Sequence, residues 1–442
     1  MKRRNFIKGS AAAVVAASTG NLLKAMDILP DGMEEAGEEG GPLIVSAPML
    51  QNFAETSVGV AFAVSALANG YVLYGERPDL SDARKVLCGG YRLTEPRDRV
   101  VQVRLTGLKP STTYYYRIGA DRIHYGGGYD MKVLGTEEQP EIYHFMTAGK
   151  GTAARFCVIN DTHNNGTSIP SVFEKVHALA PSCVIWNGDA SNTEETVEHQ
   201  VRIFLDPKTP RKDYAASTPY LLCPGNHDQR GWANRHLEQV WMFRQNEERA
   251  PRDWDLGRNF AVRLGDIALV GLDTGEDKQD TNPIFAGLFN NAAYREAQTL
   301  WLRDVLRRKD IARAPFLVVF CHIPLFDSRP DSNPGDIVPD DKDPRYRTDY
   351  AAWQRTCARL WGPLLEKAGC QVVITGHQHR YRYDASEPGR SWAQIVGGGP
   401  KMEERGFPTV IEGDIEAGLL RIRVHNILTG TVQDTFTFKK RR

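Results

Sequence analysis

The chain contains two regions that differ in their pattern of hydrophobic and polar positions. Between residues 42 and 148, short runs in which apolar and polar residues alternate, such as 58–64 and 100–105, are separated by turn residues. A period of two is typical of strands with one buried face, so this region is predicted to be an antiparallel β-sandwich. From residue 154 to residue 442, apolar strands alternate with amphipathic helical segments, which indicates an α/β domain.

The predicted strands of the second region end in side chains that can bind metal ions. Carboxyl ends of strands in an open α/β sheet meet at one edge, where ligands bind. The Asp-x-His and His-x-His spacings place alternate residues on one side of an extended segment, so both donors of a pair can face the same site. Five apolar runs lead into such motifs: Asp161-Thr162-His163, Gly188-Asp189, Gly225-Asn226-His227-Asp228, His322, and Gly376-His377-Gln378-His379.

The donor types narrow the choice of metal. The motifs offer carboxylate, amide and imidazole groups, and the sequence contains no Cys-x-x-Cys pair that would supply thiolates. Such a donor set suits iron, manganese or zinc, and it does not indicate which of them is native.

Composition excludes several classes of partner. The 55 lysines and arginines balance 55 aspartates and glutamates, so the chain has no overall basic field to hold nucleic acid or an anionic membrane. Hydrophobic residues at 41% and charged residues at 25% are typical of folded, soluble proteins. No apolar run approaches the roughly 18 residues of a transmembrane helix. We therefore expect a soluble, folded protein that is not a general binder of polyanions.

The N-terminus has the features of a targeting signal. Arg3 and Arg4 are followed by Phe6-Ile7-Lys8 and then by an alanine-rich stretch at 11–17. A basic start before a hydrophobic stretch is typical of such signals, and the arginine pair resembles the bacterial twin-arginine export signal. We expect residues 1–25 to be this signal peptide, residues 26–41 to be an acidic linker, and the protein to be periplasmic or otherwise exported.

The ordered set of motifs resembles the calcineurin-like metallophosphoesterase family over about residues 154–400. The resemblance implies an α/β fold, a layered sandwich of mixed β-sheets flanked by helices, and two adjacent metal ions. Asp161, His163 and His379 would hold the first ion. Asn226, His322 and His377 would hold the second, and Asp189 would bridge both.

A two-metal centre suits the hydrolysis of a phosphate ester. Two cations about 3.5–4 Å apart neutralise the anionic substrate and lower the pKa of a bridging water. The resemblance thus implies a phosphohydrolase that cleaves phosphomonoesters by attack of a metal-bridging hydroxide. His227 is expected to stand near the substrate without binding metal and to protonate the leaving group, because an imidazole titrates near neutrality. Asp228 is expected to orient the His227 ring.

Three further residues adjoin the motif loops and are candidates to contact substrate. Arg230 and Arg380 could bind phosphate, because a guanidinium presents two parallel N–H groups to such oxygens. Asn192 could hydrogen-bond the substrate, or it could cap the helix that follows.

The N-terminal region carries a resemblance of its own. The run from Leu108 to Ile118, LKPSTTYYYRI, and the later Phe145-Met146-Thr147 resemble a fibronectin type III-like domain. Similar modules precede the catalytic domain of purple acid phosphatases. Those enzymes owe their colour to a tyrosine ligand that accompanies the aspartate of the first motif, whereas here His163 stands in the Asp-x-His motif and no tyrosine lies nearby. The enzyme is therefore expected to be a colourless relative of those proteins, with the sandwich as a spacer or lid.

Two alternatives remain at this point. A phosphodiesterase would use the same chemistry with more room around the metals. A surface- or carbohydrate-binding protein would use the sandwich for binding and keep the α/β domain as a relic, in which case a missing metal ligand would be expected. None of the seven is missing.

Overall fold

The computed structural model describes residues 41–87, 99–127, 129–150, 154–207, 209–243, 254–282, 285–327 and 345–441. The expected signal peptide, and all but the last residue of the expected linker, lie outside these ranges and stay predictions. Residues from Leu43 onward form one compact unit. Within the described ranges, no helix combines the length and the apolar character needed to cross a membrane.

The region before residue 150 is all β, as the alternating pattern predicts. In β5 the burial alternates along the strand, which places one face in the core. The strands are β1 (Met49–Ala54), β2 (Ser57–Ala63), β3 (Ala68–Gly75), β4 (Arg84–Leu87), β5 (Val100–Leu105), β6 (Thr113–Gly127), β7 (Asp130–Glu138) and β8 (Tyr143–Met146). Strands β4, β3, β6 and β7 form one antiparallel sheet, and β8 pairs with β6.

The remaining chain alternates strands and helices. Its strands are β9 (Phe156–Ile159), β10 (Cys183–Trp186), β11 (Tyr220–Leu222), β12 (Phe260–Leu264), β13 (Ile267–Leu272), β14 (Phe316–Cys321), β15 (Val372–Thr375), β16 (Arg382–Asp384), β17 (Ala393–Val396), β18 (Thr409–Glu416), β19 (Leu419–Asn426) and β20 (Val432–Phe438). Its α-helices are α1 (Ile169–Leu179), α2 (Val197–Phe204), α3 (Asn291–Val305), α4 (Lys309–Ala312) and α5 (Arg345–Lys367), and His227–Gln229 and Ala233–Gln239 are 3₁₀-helical.

Two mixed sheets face each other in this region. The larger has the order β20-β19-β18-β9-β10-β11-β1-β2-β5, and the smaller has the order β12-β13-β14-β15-β17-β16. Side chains alternate between the two faces: in β9, Phe156 and Val158 pack between the sheets, whereas Cys157 and Ile159 pack against α1. The other sheet packs its outer face on α3 and α5. This is the layered sandwich of mixed sheets that the resemblance implies.

The larger sheet continues into the N-terminal strands. Strand β1 pairs in parallel with β11, with Gln51 opposite Tyr220. The buried Gln51 side chain donates from Nε2 to the carbonyl of Val240 at 3.0 Å and accepts from the backbone N–H of Met242 at 2.9 Å. The sandwich strands β1, β2 and β5 therefore extend the sheet that carries three of the metal-ligand motifs.

Candidate metal centre

The motif residues follow strands of both sheets and meet at one end of the layered sandwich. Asp161, Asp189 and Asn226 come after β9, β10 and β11, which are parallel neighbours in the larger sheet. His322 and His377 come after β14 and β15, which are parallel neighbours in the smaller sheet. The sequence predicts that these residues lie at the edge of one sheet, whereas in the structure two sheets contribute them.

The side chains form two groups with one common member. Ligand atoms of each group lie within 4.8 Å of one another: Asp161, His163, Asp189 and His379 in the first, and Asp189, His322 and His377 in the second. The amide oxygen of Asn226 joins the second group, at 3.0 Å from Nδ1 of His377. All seven residues that the sequence singles out as metal ligands are thus brought together.

Hydrogen bonds determine which ring nitrogen of two of these histidines carries a proton. Nδ1 of His322 lies 2.9 Å from the carbonyl oxygen of Asn187 and must donate to it, which leaves Nε2 as the free lone pair of the neutral ring. That Nε2 is buried, has no hydrogen-bond partner among the described residues, and lies 3.1 Å from Oδ2 of Asp189. Nδ1 of His163 likewise faces the acceptor Oδ1 of Asn192 at 2.9 Å.

The remaining donor atoms point towards one another, and a cation between them could bind to all of them. Nε2 of His163 lies 2.9 Å from Nε2 of His379, and Nε2 of His379 lies 3.3 Å from Oδ1 of Asp161. Lone pairs of imidazole and carboxylate that converge in a buried space repel each other unless a positive charge lies between them. The residues therefore fit metal ions in both groups.

The electrostatics of the site also favour positive charge. Burial alone would raise the pKa of Asp161, but His322, His163 and His379 hold it well below its ordinary value. Burial alone would lower the pKa of His322, but Asp189 and Asp161 raise it to about 10. The same two carboxylates raise the pKa of His163 to about 9 against its burial. Protons thus occupy, in the metal-free protein, the positions that a cation would take.

The backbone of the site is unusual for side-chain-bearing residues. Five of the seven candidate ligands adopt positive φ angles, namely Asp161 at 48°, His163 at 46°, Asp189 at 50°, His377 at 70° and His379 at 52°. Such conformations are unfavourable for residues with a Cβ and are concentrated at functional sites. Gly188 has φ of 84°, and a Cβ there would lie 2.3 Å from Nδ1 of His322, so only glycine fits.

His227 lies beside this cluster and contacts Arg230. Its backbone N–H donates to Oδ1 of Asp189 at 2.9 Å, and its ring centroid is 4.9 Å from that of His163. Nη1 of Arg230 lies 3.1 Å from Nε2 of His227 and donates to it. Burial, together with the charge of Arg230 and against the charge of Asp189, lowers the pKa of His227 to about 4. The free protein thus holds a neutral ring, in contrast to the expected titration near neutrality.

Asp228 has a different position from the one expected. Its Oδ1 accepts hydrogen bonds from the backbone and the hydroxyl of Ser191, at 3.0 and 2.9 Å, and its Oδ2 accepts from the backbone N–H of Gly225 at 2.9 Å. The buried carboxylate therefore ties two motif loops together, and Arg230 is the residue that contacts the His227 ring.

The two remaining candidates for substrate binding differ in their contacts. Asn192 is hydrogen-bonded to His163. Helix α2 is capped instead by Thr196, whose side chain accepts from the backbone N–H of His199. The helix-capping alternative for Asn192 is therefore wrong. Arg380 is partly exposed and follows the candidate ligand His379, and it forms no hydrogen bond or ion pair with any residue in the described ranges.

An acidic pair next to the site has no counterpart in the sequence-based prediction. Glu276 and Asp277 lie on the loop after β13 and are buried. Oδ2 of Asp277 is 3.6 Å from Nε2 of His377, and the two oxygens of Glu276 accept from Nη2 and Nε of Arg230 at 2.7 and 2.8 Å. The only signal for them in the sequence is a charged run that directly follows an apolar strand, which is more often a solvated turn.

Comparisons with known proteins agree with the geometry. The sequence profile of the calcineurin-like phosphoesterase family matches residues 154–381. A solved structure of PhoD is 12% identical, with a TM-score of 0.59 and coverage of 92% of each chain. The purple acid phosphatase PPD1 from seeds of yellow lupin (Lupinus luteus) is 15% identical, with a TM-score of 0.60 over 89% of this chain and 74% of the lupin chain. At these identities the likenesses establish the fold. A search of curated protein sequences found no match.

Proposed function

Because the chain belongs to the calcineurin-like phosphoesterase family, we propose that it is a two-metal phosphohydrolase that cleaves phosphomonoesters. One observation carries the proposal: the ligand atoms of six Asp and His side chains fall into two groups that share Asp189. A residue common to both groups is the natural bridge between two ions.

The proposal assigns ligands to two ions. Asp161, His163 and His379 would hold one, Asn226, His322 and His377 would hold the other, and Asp189 would contact both. Iron, manganese or zinc suits these donors. Two such ions would neutralise the charge of a bound phosphate ester and activate a water as the nucleophile.

The protein's own residues prepare the ligands for that task. The carbonyl of Asn187 fixes the tautomer of His322, so that its Nε2 is ready to bind a cation. Both oxygens of Asp161 accept from the backbone N–H of His377, at 3.1 and 2.8 Å, and Oδ2 also accepts from Nδ2 of Asn160 at 2.5 Å. Such outer contacts fix the orientation of a ligand before the metal arrives.

His227 is proposed to act on the leaving oxygen. Nε2 of the ring accepts from Arg230, so the proton of the neutral ring is on Nδ1. An adjacent phosphate dianion favours the charged form of an imidazole and would raise its pKa from the low value of the free protein. The added proton would occupy Nε2 and replace the hydrogen bond from Arg230, and the ring would then donate its Nδ1 proton as the alkoxide leaves.

The N-terminal sequence supports a site of action outside the cytoplasm. The arginine pair at Arg3 and Arg4 and the alanine-rich stretch that follows are the basis for proposing export by the twin-arginine route, into the periplasm or beyond it.

The proposed activity is tested by measuring the metal content of the protein and its rates of hydrolysis of a monoester and a diester. Purified protein is analysed for bound metals and assayed on nitrophenyl phosphate and on bis-nitrophenyl phosphate, before and after treatment with a chelator. We expect two ions per chain and faster, metal-dependent hydrolysis of the monoester. Faster hydrolysis of the diester would favour the phosphodiesterase alternative, and a folded protein without hydrolysis would favour the relic binding protein.

A further inference from the structure

We propose that Glu276 and Asp277 are positioning residues, and that Asp277 fixes the orientation of the metal ligand His377 while Glu276 holds His227 in place through Arg230. The proposal rests on the proposed two-metal centre. Both carboxylates lie on the loop after β13, which contributes none of the expected metal ligands.

The two ring nitrogens of His377 face different partners. Nδ1 faces the amide oxygen of Asn226 at 3.0 Å, and Nε2 faces Oδ2 of Asp277 at 3.6 Å. Nε2 is buried and has no hydrogen-bond partner among the described residues. With a cation held between Nδ1 and the amide oxygen of Asn226, the proton of the neutral ring belongs on Nε2, on the side of the Asp277 carboxylate. Nδ1 is then the lone pair that points to the position shared with Asn226.

The charge of Asp277 is itself stabilised. Its exposed fraction is 2%, and its Oδ1 lies 2.6 Å from Nζ of Lys278, which is also buried, and 3.5 Å from Nη2 of Arg230. A buried carboxylate stays ionised only when such partners surround it. Asp277 is thus maintained as an anion beside a candidate metal ligand, which is the arrangement that orients histidine ligands in metalloproteins.

Arg230 connects Glu276 to the His227 ring. Its Nε and Nη2 form a two-pronged ion pair with Glu276, whose exposed fraction is 0%. Its Nη1 is left to donate to Nε2 of His227 at 3.1 Å. Fork-shaped pairs of this kind fix the plane of a guanidinium. Glu276 therefore sets the direction from which Arg230 reaches the His227 ring, and Arg230 itself acts as a positioning residue.

Substitutions of Asp277 and Glu276 are therefore expected to affect different properties of the protein. Loss of the Asp277 charge should loosen His377 and weaken metal binding, by about 10–100-fold as for other outer contacts of metal ligands. Replacing Glu276 should break its two-pronged contact with Arg230, which should leave the ligands in place but misplace His227 and lower kcat by about 10–100-fold.

The test uses the full chain with Asp277→Asn and Glu276→Gln, and with Asp280→Asn as a matched control. Asp280 lies on the same loop but accepts the backbone N–H groups of Asn291 and Ala292 at the start of α3. Metal content is measured across a series of chelator concentrations, and kcat and KM are measured at saturating metal. We expect Asp277→Asn to lose one of two ions at lower chelator concentration, Glu276→Gln to keep both ions with a lower kcat and an unchanged KM, and Asp280→Asn to match the wild type in both.

The outcomes separate this proposal from the proposed function. A wild-type protein that holds fewer than two ions contradicts the two-metal centre itself. A wild type with two ions and an Asp277→Asn variant with the same chelator profile contradicts the role of Asp277. Metal loss from Glu276→Gln, or an unchanged kcat, contradicts the role of Glu276. If circular dichroism shows that either variant is unfolded, Asp277→Glu and Arg230→Lys test the geometry with the charges kept. The longer side chain moves the carboxylate away from its position beside His377 and should weaken metal binding, and a lysine cannot form the two-pronged contact with Glu276 and should lower kcat. Wild-type behaviour of both would overturn the proposal.

Discussion

The exposed Asn192 forms two hydrogen bonds with His163, one with its ring and one with its backbone carbonyl. Its Oδ1 accepts from Nδ1 of the ring at 2.9 Å, and its Nδ2 donates to the backbone carbonyl of His163 at 3.1 Å. The contact leaves Nε2 of His163 directed at Nε2 of His379, 2.9 Å away. A residue first considered for substrate binding thus supports a candidate metal ligand.

This contact predicts a metal-binding defect in Asn192→Leu. Without the acceptor, the ring of His163 is free to rotate and to change tautomer, so affinity for one ion should fall by about 10–100-fold. Asn192→Asp keeps an acceptor and should bind metal nearly as well, and Thr193→Val, a change at the exposed neighbour, is the control. Equal metal titrations for the leucine variant and the wild type would show that the contact does not support the ligand.

Metal binding should release protons near neutral pH. In the metal-free protein the pKa of His163 is raised to about 9 and that of His322 to about 10, so both rings are protonated at pH 7. A metal ion must displace these protons, and metal affinity should therefore rise as the pH approaches these values. Calorimetric titration in two buffers with different ionisation enthalpies measures the release. The His163→Asn variant should release fewer protons, and the absence of any release at pH 7 would contradict the assigned charges.

The junction between β1 and β11 should contribute to global stability. Gln51→Leu leaves the carbonyl of Val240 and the N–H of Met242 without their partner, which should lower the free energy of unfolding by about 1–3 kcal/mol. The control is Gln102→Leu on strand β5 of the same sheet, because the Gln102 side chain donates an exposed hydrogen bond to the backbone carbonyl of Glu238. Denaturant unfolding measures both. Equal stabilities would mean that the N-terminal strands are only loosely joined to the sheet.

Export should depend on the identity of the arginine pair and not on its charge. Changing Arg3 and Arg4 to lysine keeps both charges but removes the feature that the twin-arginine receptor recognises. The mature protein should then remain in the cytoplasm, as cell fractionation would show. Its unimpaired appearance outside the cytoplasm would refute the assignment.

His227→Asn should separate catalysis from metal binding. The backbone N–H that donates to Asp189 is kept, so both ions should remain bound. The kcat on an alkyl phosphate should fall by about 10²–10⁴-fold, the range of lost general acid catalysis, and less on a nitrophenyl phosphate, whose leaving group needs little protonation. Loss of metal, or an equal loss on both substrates, would show that His227 is a ligand or a phosphate-positioning residue.

The sequence predicts which candidate ligands come together because the signal for them is local. Asp161, Asp189 and His377 each follow an apolar strand closely, and strand ends are where an α/β fold gathers its ligands. The same pattern does not reveal that these strands belong to two facing sheets. It also does not reveal the positive φ angles of Asp161 and His377, which depend on the packing of several loops.

What the sequence cannot predict are contacts between distant segments. Asp277 meets His377, and Glu276 meets Arg230, through the path of a loop that carries no motif. The pairing of Gln51 with Tyr220 joins two short apolar runs that could each pair with several others. Such contacts depend on tertiary structure. Local spacing shows that Arg230 and His227 are close in the sequence, but it does not show that Glu276 pairs with Arg230.

The central claim is a two-metal phosphohydrolase in which Asp189 contacts both ions, and one measurement tests it most directly. Metal content and turnover of nitrophenyl phosphate are determined in parallel for the wild type, for Asp189→Asn and for Asp206→Asn, a control at an exposed carboxylate paired with Lys212. The wild type and the control should hold two ions per chain and hydrolyse the substrate, whereas Asp189→Asn should lose metal and turnover together. Retention of two ions and full turnover by Asp189→Asn would contradict the claim.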